Sequence, residues 1–210
     1  MTLSVSVFGL GYVGCVSAAC LAKEGHTVVG VDISATKVGL INAGQATIIE
    51  DGIRKLVSDM RATGRLSATA DVGAAVAATE ISIICVGTPG RANGSIDLAS
   101  VTRVAEQIGE AIARKKARHT VVVRSTVLPG TTEDVVKPAL ERTSGKMAGT
   151  GFGLCVNPEF LREGTSIRDF YEPPFKSSGP STPSRPSPCA RCTWASTRRR
   201  TWYRSRLPRW

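Results

Sequence analysis

The sequence predicts an α/β fold, a doubly wound parallel sheet followed by an irregular tail. Six runs rich in Val and Ile alternate with helical patterns over residues 3–156, the arrangement expected of βαβ units with helices on both faces of the sheet. Apolar residues make up 42% of the 210 residues, enough to bury a sizeable core. A glycine-rich turn joins the first run to the first helical pattern, as in doubly wound sheets.

The first half of the predicted domain depends on alternation and on glycine stops. Residues 3–8 alternate apolar and polar side chains, which indicates a short strand. Gly25 and Gly44 end two of the helical patterns, and residues 52–62 place their apolar side chains on one helical face. This half is predicted to contain strands at 3–8, 27–32 and 66–69 and helices at 12–24, 34–43, 52–62 and 71–78.

The second half is predicted from one buried run and one amphipathic stripe. Residues 81–86 are almost wholly apolar, which indicates a strand covered on both faces. A helix at 98–115 carries an apolar stripe of Val101, Val104, Ile108 and Ile112. The remaining elements are strands at 120–124 and 152–156, with a helix at 131–142 between them. Six strands on this plan suit one doubly wound domain over residues 1–174.

The net charge of +10 is confined to the end of the chain. Nine basic residues and no acidic residue follow Glu172, so residues 1–174 carry +1 and residues 175–210 carry +9. The nearly neutral domain argues against specific nucleic-acid binding by its own surface. One interpretation of the tail is a segment that binds single-stranded nucleic acid, since arginines alternate there with Trp194, Trp202, Tyr203 and Trp210.

The cysteines and the hydropathy pattern predict a cytoplasmic protein. Cys15, Cys20, Cys85 and Cys155 lie in apolar runs and are predicted to be buried free thiols, which suit a reducing compartment. Cys189 and Cys192 form a lone C-x-x-C, for which a zinc or redox role is not predicted. No segment approaches the roughly 20 apolar residues of a membrane span, and the N-terminus lacks a basic leader.

A G-x-G-x-x-G motif follows the first predicted strand and opens the first predicted helix, the context that the motif requires. Gly9 permits the tight turn, Gly11 lets the backbone approach a pyrophosphate, and Gly14 permits close packing of helix on strand. The start of the helix presents N–H groups and the positive end of its dipole to the phosphates. A plain glycine turn is the alternative. The motif favours a Rossmann-like dinucleotide site.

Asp32 ends the second predicted strand, 18 residues after Gly14. A carboxylate roughly 20 residues beyond the glycines is expected to bind the ribose hydroxyls. It repels a 2′-phosphate, so the sequence favours NAD over NADP. Lys37 lies on the first turns of the next helix and can reach the adenosine side of the cofactor. The alternative is an exposed strand-end aspartate with a solvated lysine.

Polar residues also follow the fourth, fifth and sixth predicted strands. Thr88 follows the fourth, Thr126 follows the fifth, and residues 157–163 follow the sixth. Because the carboxyl ends of parallel strands share one edge, these hydroxyls and carboxylates are expected beside the dinucleotide site. Helix capping is the alternative explanation for Thr88. His26 and His119 precede their strands, so neither is predicted to be catalytic.

Together these motifs resemble the UDP-glucose/GDP-mannose dehydrogenase family. The glycine motif with Asp32, the Val-Gly-Thr-Pro at 86–89, the Ser-Thr-Val-Leu-Pro-Gly-Thr at 125–131 and the Asn-Pro-Glu-Phe-Leu-Arg-Glu at 157–163 stand in the family's order. The segments 119–129 and 171–175 are closer to GDP-mannose 6-dehydrogenases than to UDP-glucose 6-dehydrogenases, which remain the alternative.

The resemblance implies an NAD-dependent, four-electron oxidation of a sugar-nucleotide alcohol to a uronate, through a thiohemiacetal and a thioester on a cysteine. Glu159 and Thr126 would position or activate the water that hydrolyses the thioester. Glu163 would lie at the sugar nucleotide, GDP-mannose or alternatively UDP-glucose. Carried over by motif, the residues that contact NAD are Tyr12, Val13, Asp32, Lys37, Thr88 and Thr126.

Two departures from the family bear on these expectations. Thr47 and Asp51 stand where the family has prolines, which predicts a reshaped loop around Glu50. The family's nucleophilic cysteine and its dimer contacts belong to later segments, and nothing after Phe175 matches them. The chain is therefore expected to be inactive alone, and its dimerisation is in question. We interpret residues from about 176 onward as an out-of-frame product, which translation of the other two frames would test.

Overall fold

The computed structural model describes residues 2–173 and 179–180, whose backbone forms one seven-stranded sheet with helices on both faces. Six strands run parallel in the order β3-β2-β1-β4-β5-β6, and β7 is added antiparallel to β6. The strands are β1 (Ser4–Phe8), β2 (Thr27–Val31), β3 (Leu66–Thr69), β4 (Ile81–Ile84), β5 (Thr120–Val123), β6 (Gly153–Val156) and β7 (Gly179–Pro180).

Helices form the crossovers between the parallel strands, and one further helix lies between β6 and β7. They are α1 (Tyr12–Lys23), α2 (Ala35–Asn42), α3 (Ile53–Ala62), α4 (Val72–Ala78), α5 (Ala99–Arg114), α6 (Lys137–Ser144) and α7 (Ser166–Tyr171). Both β2 and β4 pair with β1, so the strand order reverses at this central strand. In open α/β sheets, ligands bind where the order reverses, beyond the carboxyl ends of the strands. The topology therefore places a site where β1 and β4 end.

The core lies on both faces of the sheet, as expected for buried parallel strands. Side chains of α1, α3 and α7 cover one face, and side chains of α4, α5 and α6 cover the other. Successive residues of β4 serve opposite faces: Ile83 packs under α1 and Ile84 packs under α5. The apolar run at 81–86 is thus explained by burial from both sides, and the predicted doubly wound sheet is confirmed.

Three elements differ from the sequence prediction. The short strand β7 was not predicted, because it lies in the segment expected to be irregular. The helix expected at 131–142 begins as a π-helical turn, Thr132–Val136, and becomes α-helical only at Lys137. Pro138 lies in the first turn of α6 and has no N–H to bond the preceding turn, which explains the wider turn before it. The helix α7 was not predicted, because six residues are too few to show a period.

A buried polar chain lies between β1, β4 and the end of α5. His119 Nε2 is 2.8 Å from Ser82 Oγ, which is 2.8 Å from Ser6 Oγ. Lys115 Nζ lies 3.2 Å from His119 Nδ1 and donates to the carbonyl oxygens of Val76 and Thr79. Ser82 is fully buried, so the pair Ser82–His119 offers no accessible nucleophile. Lys115 and His119 therefore satisfy buried polar groups.

Within the described residues, no helix combines the length and the apolar character needed to cross a membrane. Cys15, Cys20, Cys85 and Cys155 are buried free thiols, which confirms that part of the cysteine prediction. The lone C-x-x-C and the basic tail, apart from Gly179–Pro180 in β7, fall outside the described residues, so the proposed change of reading frame is not tested.

Candidate active site

The glycine loop between β1 and α1 is closely packed on one side and open on the other. Gly9 has a φ of 95°, and a Cβ built on it would lie 2.9 Å from the carbonyl oxygen of Cys85. A Cβ on Gly14 would lie 1.7 Å from the carbonyl oxygen of Gly9. A Cβ on Gly11 would meet no atom of the described residues within 4 Å. The first and last glycines therefore serve packing, whereas Gly11 faces open space.

The start of α1 supplies hydrogen-bond donors to this open space. Gly11 is the N-cap residue and carries no side chain that could cap the helix. Cys15 N donates to the carbonyl oxygen of Gly11 at 2.9 Å, which closes the first turn of the helix. The amides of Tyr12, Val13 and Gly14 precede that bond, so they have no carbonyl partner within the helix. An anion bound beside Gly11 would accept hydrogen bonds from these amides and would face the positive end of the helix dipole.

The carboxylate of Asp32 lies beside the glycine loop at the end of β2. Its Oδ2 accepts from Leu10 N at 2.7 Å, and its Oδ1 accepts from Ser34 N at 2.9 Å. Lys37 Nζ lies 3.5 Å from Oδ2. The side chain of Asp32 is 8% exposed, so the carboxylate is fixed in place. Each carboxylate oxygen can accept more than one hydrogen bond, which leaves Oδ1 able to accept a further donor.

The loops after β4 and β5 are bonded to each other. Thr88 Oγ1 donates to the carbonyl oxygen of Thr126 at 2.7 Å, and Ser125 Oγ donates to the carbonyl oxygen of Val86 at 2.7 Å. Thr88 and Thr126 are thus brought together as the sequence predicted for one sheet edge. Thr126 is exposed, and the Oγ1 of Thr88 retains lone pairs that can accept a hydrogen bond from a ligand.

The segment after β6 brings Glu159 to the same edge. Glu159 is half-buried, and its Oε2 accepts from Leu161 N at 2.6 Å. Arg124, at the end of β5, donates to Asn157 Oδ1 at 2.7 Å and lies 5.6 Å from the centre of the Phe170 ring. Sequence reasoning did not single out Arg124, because a basic residue after a strand has no distinctive spacing. It fixes the beginning of the segment that carries Glu159.

Neither Cys85, at this edge of the sheet, nor Cys20, in the second half of α1, is an activated thiol. Burial raises the pKa of the Cys85 thiol to about 12; the nearby charge of Arg124 opposes this rise and the nearby charge of Glu159 adds to it. Burial likewise raises the pKa of Cys20 to about 12. A thiol must ionise to act as a nucleophile. Both thiols are therefore core groups, as the sequence predicted.

Glu50 was not predicted as a site residue, yet its carboxylate joins three segments. Tyr12 Oη lies 3.0 Å from Glu50 Oε2, Gly164 N donates to the same oxygen at 2.9 Å, and Ser166 N donates to Oε1 at 3.0 Å. Burial acts to raise the pKa of Glu50, but these donors outweigh it and the pKa is lowered. A single glutamate in a loop between two helices gives no sequence signal for such contacts.

Glu163 lies in the turn held by Glu50, with an exposed side chain. The pKa of the Tyr12 hydroxyl is raised first by burial and also by the charges of Glu50 and Glu163. Glu163 is therefore close to the start of α1, on the side where the predicted cofactor site lies. Among the described residues, no group of His, Cys, Asp and Glu could hold a metal ion.

The sheet order, the open space at Gly11 and the fixed Asp32 carboxylate define a dinucleotide-binding domain. The chain belongs to the UDP-glucose/GDP-mannose dehydrogenase family, whose NAD-binding domain matches residues 3–177. The predicted cofactor, NAD, and the predicted family are both confirmed by this match.

Individual relatives agree with the family match. The GDP-mannose 6-dehydrogenase of Azotobacter vinelandii is 54% identical over 173 residues, which are 82% of this chain and 40% of that protein. The UDP-glucose 6-dehydrogenase of Rhizobium meliloti is 40% identical over 172 residues, which are 81% of this chain and 38% of that protein. The chain thus spans about 40% of the length of the curated relatives it matches.

Solved structures match the fold as well. A ternary complex of GDP-mannose dehydrogenase from Pseudomonas aeruginosa has a TM-score of 0.83 and 53% identity, covering 84% of this chain and 40% of that one. A UDP-glucose dehydrogenase from Pyrobaculum islandicum has a TM-score of 0.82 and 41% identity, covering 87% of this chain and 41% of that one.

Proposed function

We propose that this chain provides the NAD-binding part of a sugar-nucleotide 6-dehydrogenase of the GDP-mannose type. The observation that carries the proposal is the dinucleotide site at the strand reversal, in a chain 54% identical to a GDP-mannose 6-dehydrogenase. The reaction would convert a primary alcohol of the sugar to a carboxylate. Each of its two oxidation steps would transfer a hydride to a separate molecule of NAD, and water would supply the second carboxylate oxygen.

The geometry supports one orientation of NAD. The pyrophosphate would lie over Gly11, where the amides of Tyr12 and Val13 can donate to it. The adenosine ribose would donate a hydroxyl to Asp32 Oδ1, with Lys37 beside the same carboxylate. Gly9 and Gly14 would contribute by shaping the loop. Thr88 and Thr126, beyond β4 and β5, would contact the nicotinamide half.

The sugar nucleotide would approach from the segment after β6. Glu159 is half-buried at the strand edge and can accept a proton from water that Thr126 helps to orient. The exposed carboxylate of Glu163 would bind a hydroxyl of the sugar nucleotide. We further propose that Cys20 and Cys85 take no part, because their thiols remain protonated at neutral pH. The described residues would therefore bind and orient, while the acyl-bearing thiol comes from elsewhere.

UDP-glucose remains the second candidate substrate, supported by UDP-glucose 6-dehydrogenases among the relatives. Comparing NADH formation from GDP-mannose and from UDP-glucose with a full-length relative separates the two candidates.

We also propose a cytoplasmic location, a domain boundary near residue 174 and assembly only through segments outside the described residues. Nucleic-acid binding by residues 175–210 stays a prediction, to be tested by a salt-dependent shift that deletion of 176–210 removes.

Replacing Asp32 with alanine is expected to weaken NAD binding by about tenfold or more, since a hydrogen bond to a carboxylate is worth roughly 1.5–3 kcal/mol. The substitution also leaves Leu10 N without its acceptor. NAD affinity is measured by calorimetric titration of the purified chain, together with NADP affinity. Loss of the negative charge should narrow the preference for NAD over NADP.

The matched control for this variant is Asp59→Ala. Asp59 is an exposed carboxylate that pairs with Lys55 on the surface of α3. The Asp59→Ala variant should bind NAD with the same affinity as the unmodified chain. Unchanged NAD affinity in a folded Asp32→Ala chain would show that the ribose does not lie at this carboxylate.

A further inference from the structure

The loop between α2 and α3 contacts both sides of the proposed site. At one end, Thr47 Oγ1 donates to the carbonyl oxygen of Leu10 at 2.8 Å, within the glycine loop. At the other end, Glu50 accepts from the amides of Gly164 and Ser166, which lie 114 and 116 residues away in the chain. The loop thus connects the start of α1 with the segment that carries Glu163.

A second carboxylate fixes the same segment from its other side. Asp169 accepts from Arg162 N at 3.1 Å, from the Arg162 guanidinium at 2.8 and 3.0 Å and from Thr165 Oγ1 at 2.9 Å. The Asp169 side chain is only 1% exposed. The Arg162 guanidinium is the main reason why the pKa of Asp169 lies well below its usual range. Residues 162–166 are therefore held between Glu50 and Asp169.

Tyr12 is the point where this segment meets the proposed cofactor site. Its hydroxyl lies 3.0 Å from Glu50 Oε2 and 3.2 Å from the carbonyl oxygen of Arg162, so it can donate to either oxygen. Tyr12 is also the first residue of α1 and directly follows Gly11. Any ligand that orders the start of α1 therefore acts on the hydroxyl that Glu50 holds.

We propose that Glu50 is a positioning residue that couples the NAD-binding end of α1 to the turn bearing Glu163. The proposal rests on the proposed function, since it assigns the two ends of the coupling to cofactor and sugar nucleotide. Its chemistry is an ionised carboxylate with three donors from two distant segments, which no neutral side chain of that size can satisfy. Occupation of the cofactor site then sets the position of Glu163.

The test measures amide hydrogen exchange of the full chain, without NAD and with saturating NAD. Glu50→Gln replaces one acceptor oxygen with an NH₂ group that faces other donors. Without NAD, exchange across residues 162–166 should be faster in this variant than in the unmodified chain. With NAD, protection of residues 162–166 should increase in the unmodified chain, whereas the variant should show protection only at residues 9–14.

NAD affinity gives an independent readout of the same coupling. We expect Glu50→Gln to raise the Kd for NAD by roughly three- to tenfold, the range set by losing part of a charge-assisted hydrogen bond. Tyr12→Phe, which removes a single hydroxyl, should also abolish the transfer of protection to residues 162–166. If both act through the Tyr12–Glu50 contact, the double variant should weaken binding no more than Glu50→Gln does alone.

The control is Asp51→Asn, an exposed carboxylate one residue further along the same loop. It should leave both exchange and NAD affinity unchanged. The inference is overturned if Glu50→Gln leaves exchange at residues 162–166 unchanged without NAD, or if folded Tyr12→Phe still transmits protection. Absence of NAD binding by the unmodified chain would instead contradict the proposed function. The two failures can be told apart because the exchange comparison without NAD does not depend on NAD binding.

Discussion

Gly14→Ala is expected to destabilise the fold by more than about 4 kcal/mol and to abolish NAD binding, an effect in the range of severe core substitutions. The added Cβ would lie 1.7 Å from the carbonyl oxygen of Gly9. That oxygen belongs to the backbone of the turn, so no side-chain rotation can relieve the overlap. Either α1 moves away from β1 or the turn opens, and both displace the loop. Urea unfolding, followed by circular dichroism, measures the loss of stability.

Gly11→Ala is the matched comparison in the same loop. Its Cβ would meet no atom in the described part of the chain within 4 Å, so the free energy of unfolding should change little. The methyl group would nevertheless occupy the space proposed for the pyrophosphate, and NAD affinity should fall by at least about tenfold because the backbone can no longer approach the phosphates. Undiminished stability of Gly14→Ala would contradict the close packing of this loop. Undiminished NAD binding by Gly11→Ala would contradict the proposed position of the pyrophosphate.

Stability is expected to fall by about 2 kcal/mol between about pH 7.5 and about pH 5 because of His119 alone. Burial lowers the pKa of His119 from 6.5 to about 3, and the charge of Lys115 acts in the same direction. In this range the unfolded chain binds a proton at His119 and the folded chain does not. The proton therefore stabilises the unfolded state as the pH falls. Urea unfolding across this pH range measures the slope.

Replacing His119 with glutamine should make the slope shallower, since glutamine can accept and donate hydrogen bonds but does not titrate in this range. His26 is the other histidine of the chain, and burial lowers its pKa as well. The corresponding His26→Gln variant serves as the comparison and should remove a smaller part of the slope. Retention of the full slope by His119→Gln would mean that His119 binds its proton equally well in the folded and unfolded states.

The part of the fold that local pattern determines was predictable. Strands such as Ile81–Ile84 are apolar because helices cover both of their faces, and this burial leaves a direct trace in the sequence. The glycine motif was equally readable, because Gly9 and Gly14 are required by contacts within a single turn. Asp32 followed from its distance to that motif. Each of these signals involves residues close together in the chain or a repeat along it.

The residues that hold the site together were not predictable in this way. Glu50 acts on amides more than a hundred residues away, and Asp169 acts from a helix of six residues that shows no period. Arg124 supports Asn157 across two neighbouring strands. Such contacts depend on tertiary placement, and nothing in the local sequence distinguishes these charged residues from solvated ones. The resemblance to a family assigned roles at the site but no role to these supports.

The double engagement of Asp32 has a consequence for any attempt to redesign cofactor preference. The same carboxylate that faces the proposed ribose also accepts the amide of Leu10 and thereby holds the turn that precedes Gly11. A small neutral residue at this position would admit an extra phosphate but would also release the turn. Selectivity for NAD over NADP and rigidity of the loop thus depend on the same carboxylate. A variant that accepts NADP therefore needs a second substitution that supplies a new acceptor for Leu10 N.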